Sequence, residues 1–207
     1  MSKEKGNNEK YKVLSELTKG DYKAFLYDCD GTLADNMEDH KQTYARVAED
    51  AGVEIDTGLV DELAGYPIPA VVEEINKRYH SEFDPKEFER SKSDLFYNEF
   101  IPKTKPIEFV VKHLKESAGK YKVAVVSGSA RKMVEKTLDV LGITGSVDVA
   151  ICAEDYEKGK PDPEPFLKAA EKLGVEPKYC IVFEDGEPGV KAAEAAGMKW
   201  IRVDQVK

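Results

Sequence analysis

The residues best suited to chemistry begin with Asp28-Cys29-Asp30-Gly31-Thr32-Leu33-Ala34-Asp35. They follow the apolar run Ala24-Phe25-Leu26-Tyr27, which reads as a buried strand. Side chains alternate along a strand, so Asp28 and Asp30 project to one side and Cys29 to the other. Two carboxylates held together repel each other and are tolerated where a cation binds or one stays protonated. Gly31 lets the backbone turn sharply and expose amides, as a phosphate-binding nest needs. Taken alone, the acidic pair also fits an ordinary turn after a strand.

Later strand ends add to it. Val125-Val126 runs into Ser127-Gly128-Ser129, a hydroxyl and free amides at a helix start, which suits an anion. Lys160 is pinned in Gly159-Lys160-Pro161-Asp162-Pro163, where a rigidly held lysine can neutralise a phosphate. Ile181-Val182-Phe183 delivers Glu184-Asp185-Gly186. Hard oxygen ligands of this kind suit Mg²⁺, which takes only a few carboxylates and keeps several waters.

The elements that must position these groups are strands at 24–27, 121–126, 147–151, 179–183 and 200–203. Helices are predicted between them at 129–141, 163–173 and 187–196. Ser129 is placed as the cap of the first and Gly142 as its stop; Asp162-Pro163 opens the second and Gly197 ends the third. This alternation predicts an α/β fold, a Rossmann-like parallel sheet core with helices on both faces. The stretch from about 36 to 104 has no convincing strand. Its helices are predicted at 37–51, 69–79 and from an Asp84-Pro85-x-Glu87 capping box to about 100. It reads as an inserted α-helical cap domain, 37–103, in a core made of 23–36 and 104–207. Residues 1–22, with a weak helical stretch at 11–17, are a tail or a short packed helix.

Composition narrows the class. The 207 residues suffice for one large domain or two small ones, and 41% of them are apolar, enough to bury a core. With 31 Lys+Arg against 40 Asp+Glu the net charge is −9, which argues against nucleic acid or an anionic membrane as partner. It does not argue against phosphate substrates, because a bound cation reverses the local sign. Cys29, Cys152 and Cys180 form no spaced disulfide framework. Neither a signal-like N-terminus nor an apolar run of about 18 residues occurs, so a cytoplasmic location is expected, with the chain taken as a monomer.

In order and spacing, the four strand-end motifs resemble those of the haloacid dehalogenase-like hydrolase superfamily over roughly residues 23–207. Within it the chain is similar to the helical-capped group that includes β-phosphoglucomutase and small sugar-phosphate phosphatases. The resemblance implies that Asp28 is a nucleophile forming an aspartyl-phosphate and Asp30 the general acid/base. It implies that Ser127 and Lys160 hold the phosphoryl group, with Gly31, Thr32, Gly128 and Ser129 around it. Mg²⁺ would be held by Asp28, the backbone carbonyl of Asp30 and Asp185, with Glu184 a direct or water-mediated ligand. Dehalogenation needs no proton on its leaving halide, so Asp30 argues against that chemistry.

In the cap, His40 matches a substrate-positioning histidine of the sugar-phosphate group, and Lys92 is a further candidate contact. His80 and His113 carry no motif and read as structural or surface residues. Leu63-Ala64-Gly65-Tyr66-Pro67 is similar to the substrate-specificity loop, with Gly65 at its fixed point. The mutase has an arginine just beyond that glycine to grip a second phosphate. Here Tyr66-Pro67-Ile68-Pro69-Ala70 contains no basic residue, which favours hydrolysis. The leading expectation is a Mg²⁺-dependent phosphatase acting on a small phosphorylated metabolite, a sugar phosphate first. The nearest alternative is a β-phosphoglucomutase-type mutase. Ranked below it are a phosphonatase, for which Lys92 is the one placed Schiff-base candidate, and a non-catalytic phosphate-metabolite binder.

Overall fold

The computed structural model describes residues 3–63 and 66–207; Ala64 and Gly65 of the specificity-loop assignment lie outside the described residues. The elements run α1 (Lys3–Leu17), β1 (Ala24–Tyr27), β2 (Ala34–Asp35), α2 (Met37–Asp50), α3 (Gly58–Glu62), α4 (Ile68–Tyr79) and α5 (Pro85–Leu95). They continue as β3 (Lys105–Pro106), α6 (Glu108–Ser117), β4 (Lys122–Val126), α7 (Arg131–Val140), β5 (Val149–Ile151), α8 (Glu164–Leu173), β6 (Cys180–Glu184), α9 (Glu187–Ala195) and β7 (Lys199–Arg202).

The five longer strands form one parallel sheet in the order β5-β4-β1-β6-β7. Their near-continuous apolar runs follow from burial on both faces. Phe25, Tyr27, Val123, Val125, Ile181 and Phe183 enter one core with Leu14 and Leu114. Ala24, Leu26, Ala124, Val126, Cys180 and Val182 enter a second with Phe166 and Ala192. Cys29 joins the first core, on the side opposite the two acids.

Four strands differ from their predicted bounds: β4 starts at Lys122 instead of 121, and β7 runs 199–202 instead of 200–203. The run at 147–151 pairs only from Val149, because Asp148 uses its side chain to accept from the Val123 amide at 2.8 Å. The run at 179–183 is displaced by one residue: Tyr179 belongs to a 3₁₀ turn after Pro177, and Glu184 is still part of the strand. Ser129 does not cap α7; that position falls to Ala130, and the Ser129 hydroxyl is used elsewhere.

By its contacts the chain divides into residues up to Asp35 with Thr104–Lys207, and Asn36–Lys103. At the crossing points β2 and β3 pair antiparallel, Asp35 opposite Lys105, so the entry and exit of the second unit lie side by side. That unit is helical around Tyr44, Ile55, Leu59, Val72, Ile75 and Phe88. Asp84 accepts from the Glu87 amide at 2.8 Å to start α5, which runs on through a π-helical turn at Phe96–Phe100.

The N-terminal segment is a helix from Lys3, longer than the 11–17 stretch that its own pattern shows. Packing on α6 supplies what its weak propensity lacks: Leu14 is fully buried, Asn7 donates to Glu108, Tyr11 to Glu116, and the Lys112 ammonium lies over the Tyr11 ring.

Candidate active site

Because β1 lies between β4 and β6, the carboxyl ends of three adjacent strands converge, and in open α/β sheets that edge is where ligands bind. Asp28 continues β1, its amide donating to the Phe183 carbonyl at 2.9 Å. Ser127 continues β4, its amide donating to the Ile151 carbonyl at 2.9 Å. Glu184 ends β6. All three are buried, Asp28 with 8% of its surface exposed.

Lys160, in the loop before α8, reaches across these ends. Its ammonium donates to Asp28 Oδ1 at 2.6 Å, Glu184 Oε1 at 2.6 Å and the Val126 carbonyl at 3.0 Å. Burial opposes the ammonium charge, but the carboxylates of Asp28 and Glu184 outweigh it and raise the Lys160 pKa. Asp28 is pushed well up by burial, with Glu184 and Asp185 adding and Lys160 opposing. Asp185 rises to about 6 through burial and Glu184. One ammonium thus faces three carboxylates.

The supporting bonds give each acid a distinct setting. Glu184 Oε2 accepts from the amides of Asp185 (3.0 Å) and Gly186 (2.9 Å), so with Lys160 on Oε1 both its oxygens are engaged. Asp185 Oδ1 accepts from the hydroxyl of fully buried Thr32 at 2.9 Å. Gly31, at φ +83°, lies against this carboxylate: a Cβ there would meet Asp185 Oδ2 at 2.2 Å. The turn therefore needs glycine for both conformation and space. Asp30 Oδ2 accepts from the Ser129 hydroxyl at 2.7 Å. Ser127 Oγ accepts from the Ser129 amide at 3.0 Å, shaping the Ser127-Gly128-Ser129 turn.

Oxygens of Asp28, Glu184 and Asp185 lie within 4.8 Å of one another. Hard donors, burial and surplus negative charge fit a small divalent cation such as Mg²⁺.

Within the helical unit, Lys92 is buried, 5% exposed. Its ammonium lies 3.2 Å from His40 Nδ1 and over the rings of Tyr44 and Phe96, and His40 stacks on Phe96 with centroids 4.0 Å apart. Two candidates singled out separately in the sequence are thus neighbours.

Two supporting residues escaped the sequence reading. Tyr156 donates its hydroxyl to the Ser127 carbonyl at 3.1 Å. Gly189, in the first turns of α9, makes room for Glu184: a Cβ there would meet Oε1 at 1.8 Å. A glycine inside an otherwise good helix pattern was the available signal; for Tyr156 there was none.

Residues 25–203 match the model of the haloacid dehalogenase-like hydrolases. The chain belongs to that family. Among curated relatives of this hydrolase, a fructose-1-phosphate phosphatase of Escherichia coli is 30% identical over 182 residues, covering 88% of this chain and 96% of the relative. A phosphorylated carbohydrates phosphatase of Thermotoga maritima is 28% identical over 182 residues, covering 86% and 83%. Among solved structures, a β-phosphoglucomutase of Clostridium difficile is similar with a TM-score of 0.71 and 28% identity, covering 86% of this chain and 83% of that one. Among the described residues no helix is long and apolar enough to cross a membrane.

Proposed function

We propose that this hydrolase is a Mg²⁺-dependent phosphatase that releases phosphate from a small phosphorylated metabolite, a sugar phosphate first, through an aspartyl-phosphate on Asp28. The observation that carries this is Asp28 itself, a buried carboxylate held by Lys160 at 2.6 Å beside Asp185 and Glu184.

Asp28 and Asp185, with the Asp30 carbonyl, would hold the cation, and Glu184 fits an outer role, because both its oxygens are already engaged. When bound, the cation supplies Lewis-acid polarisation of the phosphoryl oxygens and screens the approaching carboxylate. The chain's own groups do the rest. Lys160, the Ser127 hydroxyl and the amides of Gly128 and Thr32 orient the phosphoryl group, whereas the amides of Gly31, Ser127 and Ser129 already donate to Ala34, Ile151 and the Ser127 hydroxyl. The Asp28 carboxylate attacks phosphorus, the ester P–O bond breaks, and Asp30 gives its proton to the leaving oxygen. Asp30 then takes a proton from water, which attacks the acyl-phosphate, breaks its P–O bond and frees phosphate with the Asp28 carboxylate restored. The Ser129 hydroxyl orients Asp30 for both proton transfers.

The relatives named for fructose 1-phosphate and phosphorylated carbohydrates support the substrate class. Likeness to a β-phosphoglucomutase keeps the mutase as a second reading. Against it, a mutase must grip the distal phosphate of a bisphosphate, and Tyr66-Pro67-Ile68-Pro69-Ala70 offers no cation.

The test is phosphate release from hexose monophosphates, phosphoglycolate and nucleotides, in Mg²⁺ and in excess chelator, with sugar products followed by ³¹P NMR. Release from a hexose monophosphate, lost in chelator and without isomer accumulation, is expected. Full activity in chelator would refute the metal role, and isomerisation faster than phosphate release would establish the mutase.

A further inference from the structure

On the other face of the same strand ends, β1 presents Tyr27 and β6 presents Phe183, whose rings stack with centroids 4.3 Å apart and planes 9° apart. His113 of α6 lies against both. Its ring centroid is 5.2 Å from that of Phe183, and its Nδ1 is 2.8 Å from the Tyr27 hydroxyl. Its Nε2 is 3.2 Å from Thr18 Oγ1, just after α1. Thr18, Tyr27, His113 and Phe183 are all buried.

Counting protons gives this cluster a direction. The Thr18 hydroxyl has one proton, and it goes to the Ser15 carbonyl at 3.0 Å. Towards His113 the hydroxyl oxygen therefore accepts, so Nε2 carries the hydrogen. In a neutral imidazole Nδ1 is then bare, and it accepts from Tyr27. Every donor from Tyr27 through His113 and Thr18 to Ser15 is used once. Burial keeps His113 neutral, lowering its pKa to about 4 against the opposing pull of Glu116.

We propose that His113 is a positioning residue: fixed by Thr18 as the Nε2–H tautomer, it holds the Tyr27 hydroxyl and, through the Tyr27–Phe183 stack, the strand ends that present Asp28 and Glu184. The proposal rests on the reading of Asp28 as nucleophile. Only one peptide separates Tyr27 from Asp28, and in-line attack is sensitive to small displacements. Thr18 lies before residue 25, where the family match begins. The group that selects the tautomer thus comes from a segment outside the matched region.

The experiment pairs ¹⁵N NMR of the His113 ring with steady-state kinetics on a hexose monophosphate that the wild type turns over. Thr18→Val removes the acceptor with little change of shape, Tyr27→Phe removes the donor, and Thr18→Ser is the conservative control. The wild type should show a protonated Nε2. Thr18→Val should lose that preference, and with Tyr27→Phe should lower kcat about tenfold while KM stays within about twofold. Thr18→Ser should retain both the tautomer and the rate. A wild-type Nδ1–H tautomer overturns the proposal alone, as does an unchanged kcat in Thr18→Val. A wild type inert towards every phosphate ester would instead overturn the reading of Asp28, and the proposal with it.

Discussion

Two buried polar clusters sit on opposite faces of the same strand ends, and they are built on opposite principles. Towards the second core face are Asp28, Lys160, Glu184 and Asp185, charged and with carboxylate in excess. Towards the first are Tyr27, His113 and Thr18, neutral and ending on the Ser15 carbonyl. Strand alternation makes the division: adjacent residues in β1 and β6 must go to opposite faces. A buried charged set with a surplus calls for an external cation, whereas a neutral set with matched donors and acceptors calls for nothing and can brace. Reactivity and rigidity thus share two strands without sharing a face.

The sharpest way to break this contrast is to act on the charged side. Asp28→Asn keeps the shape but cannot form an acyl-phosphate, so phosphate release should fall at least about 10⁴-fold. Asp30→Asn should lower turnover by roughly 10²–10⁴-fold, the usual worth of a general acid/base, and the loss should be greatest for esters with poor leaving groups.

Gly189→Ala comes next. Alanine improves helix propensity, yet its Cβ would land on Glu184 Oε1, which Lys160 holds. Turnover should drop about tenfold to a hundredfold and the Mg²⁺ requirement should rise, as a titration of rate against Mg²⁺ would show.

The neutral side should speak in stability. With a folded pKa of about 4 against an ordinary 6.5, His113 takes up a proton more readily in the unfolded chain between those values. Its contribution is therefore complete above pH 6.5 and falls as the pH drops towards 4, by up to about 3 kcal/mol. Urea midpoints of wild type and His113→Gln at pH 7.5 and 5 should converge at the lower pH. A constant difference would show that His113 does not titrate this way. Least affected should be Arg78→Ala: its pairs with Glu62 and Glu74 are exposed, and no measurable shift in the urea midpoint is expected.

The charged side was legible in the sequence and the neutral side was not, for a physical reason. Asp28, Asp30, Glu184 and Asp185 sit at strand ends and Lys160 in the loop before α8, beside glycines and prolines where residue type and turn chemistry coincide. His113 lies mid-helix in an amphipathic pattern that gives a histidine no distinguishing mark, and its partners come from 86 and 95 residues away. For Lys92 the residue was a candidate in the sequence but its setting was not legible: only the fold brings it against Tyr44, Phe96 and His40. The sheet was readable because burial on both faces leaves unbroken apolar runs. The length of α1 was not, because packing on α6 rather than its own pattern supports its first turns.

The most direct measurement is to quench the enzyme in acid during turnover of a hexose monophosphate and map the phosphoryl group by peptide mass spectrometry. One phosphoryl group on the peptide containing Asp28 is expected in the wild type, absent from Asp28→Asn, which should also release no phosphate. Near-native phosphate release by Asp28→Asn, with no phosphoryl group trapped on the wild-type peptide, would contradict covalent catalysis by Asp28.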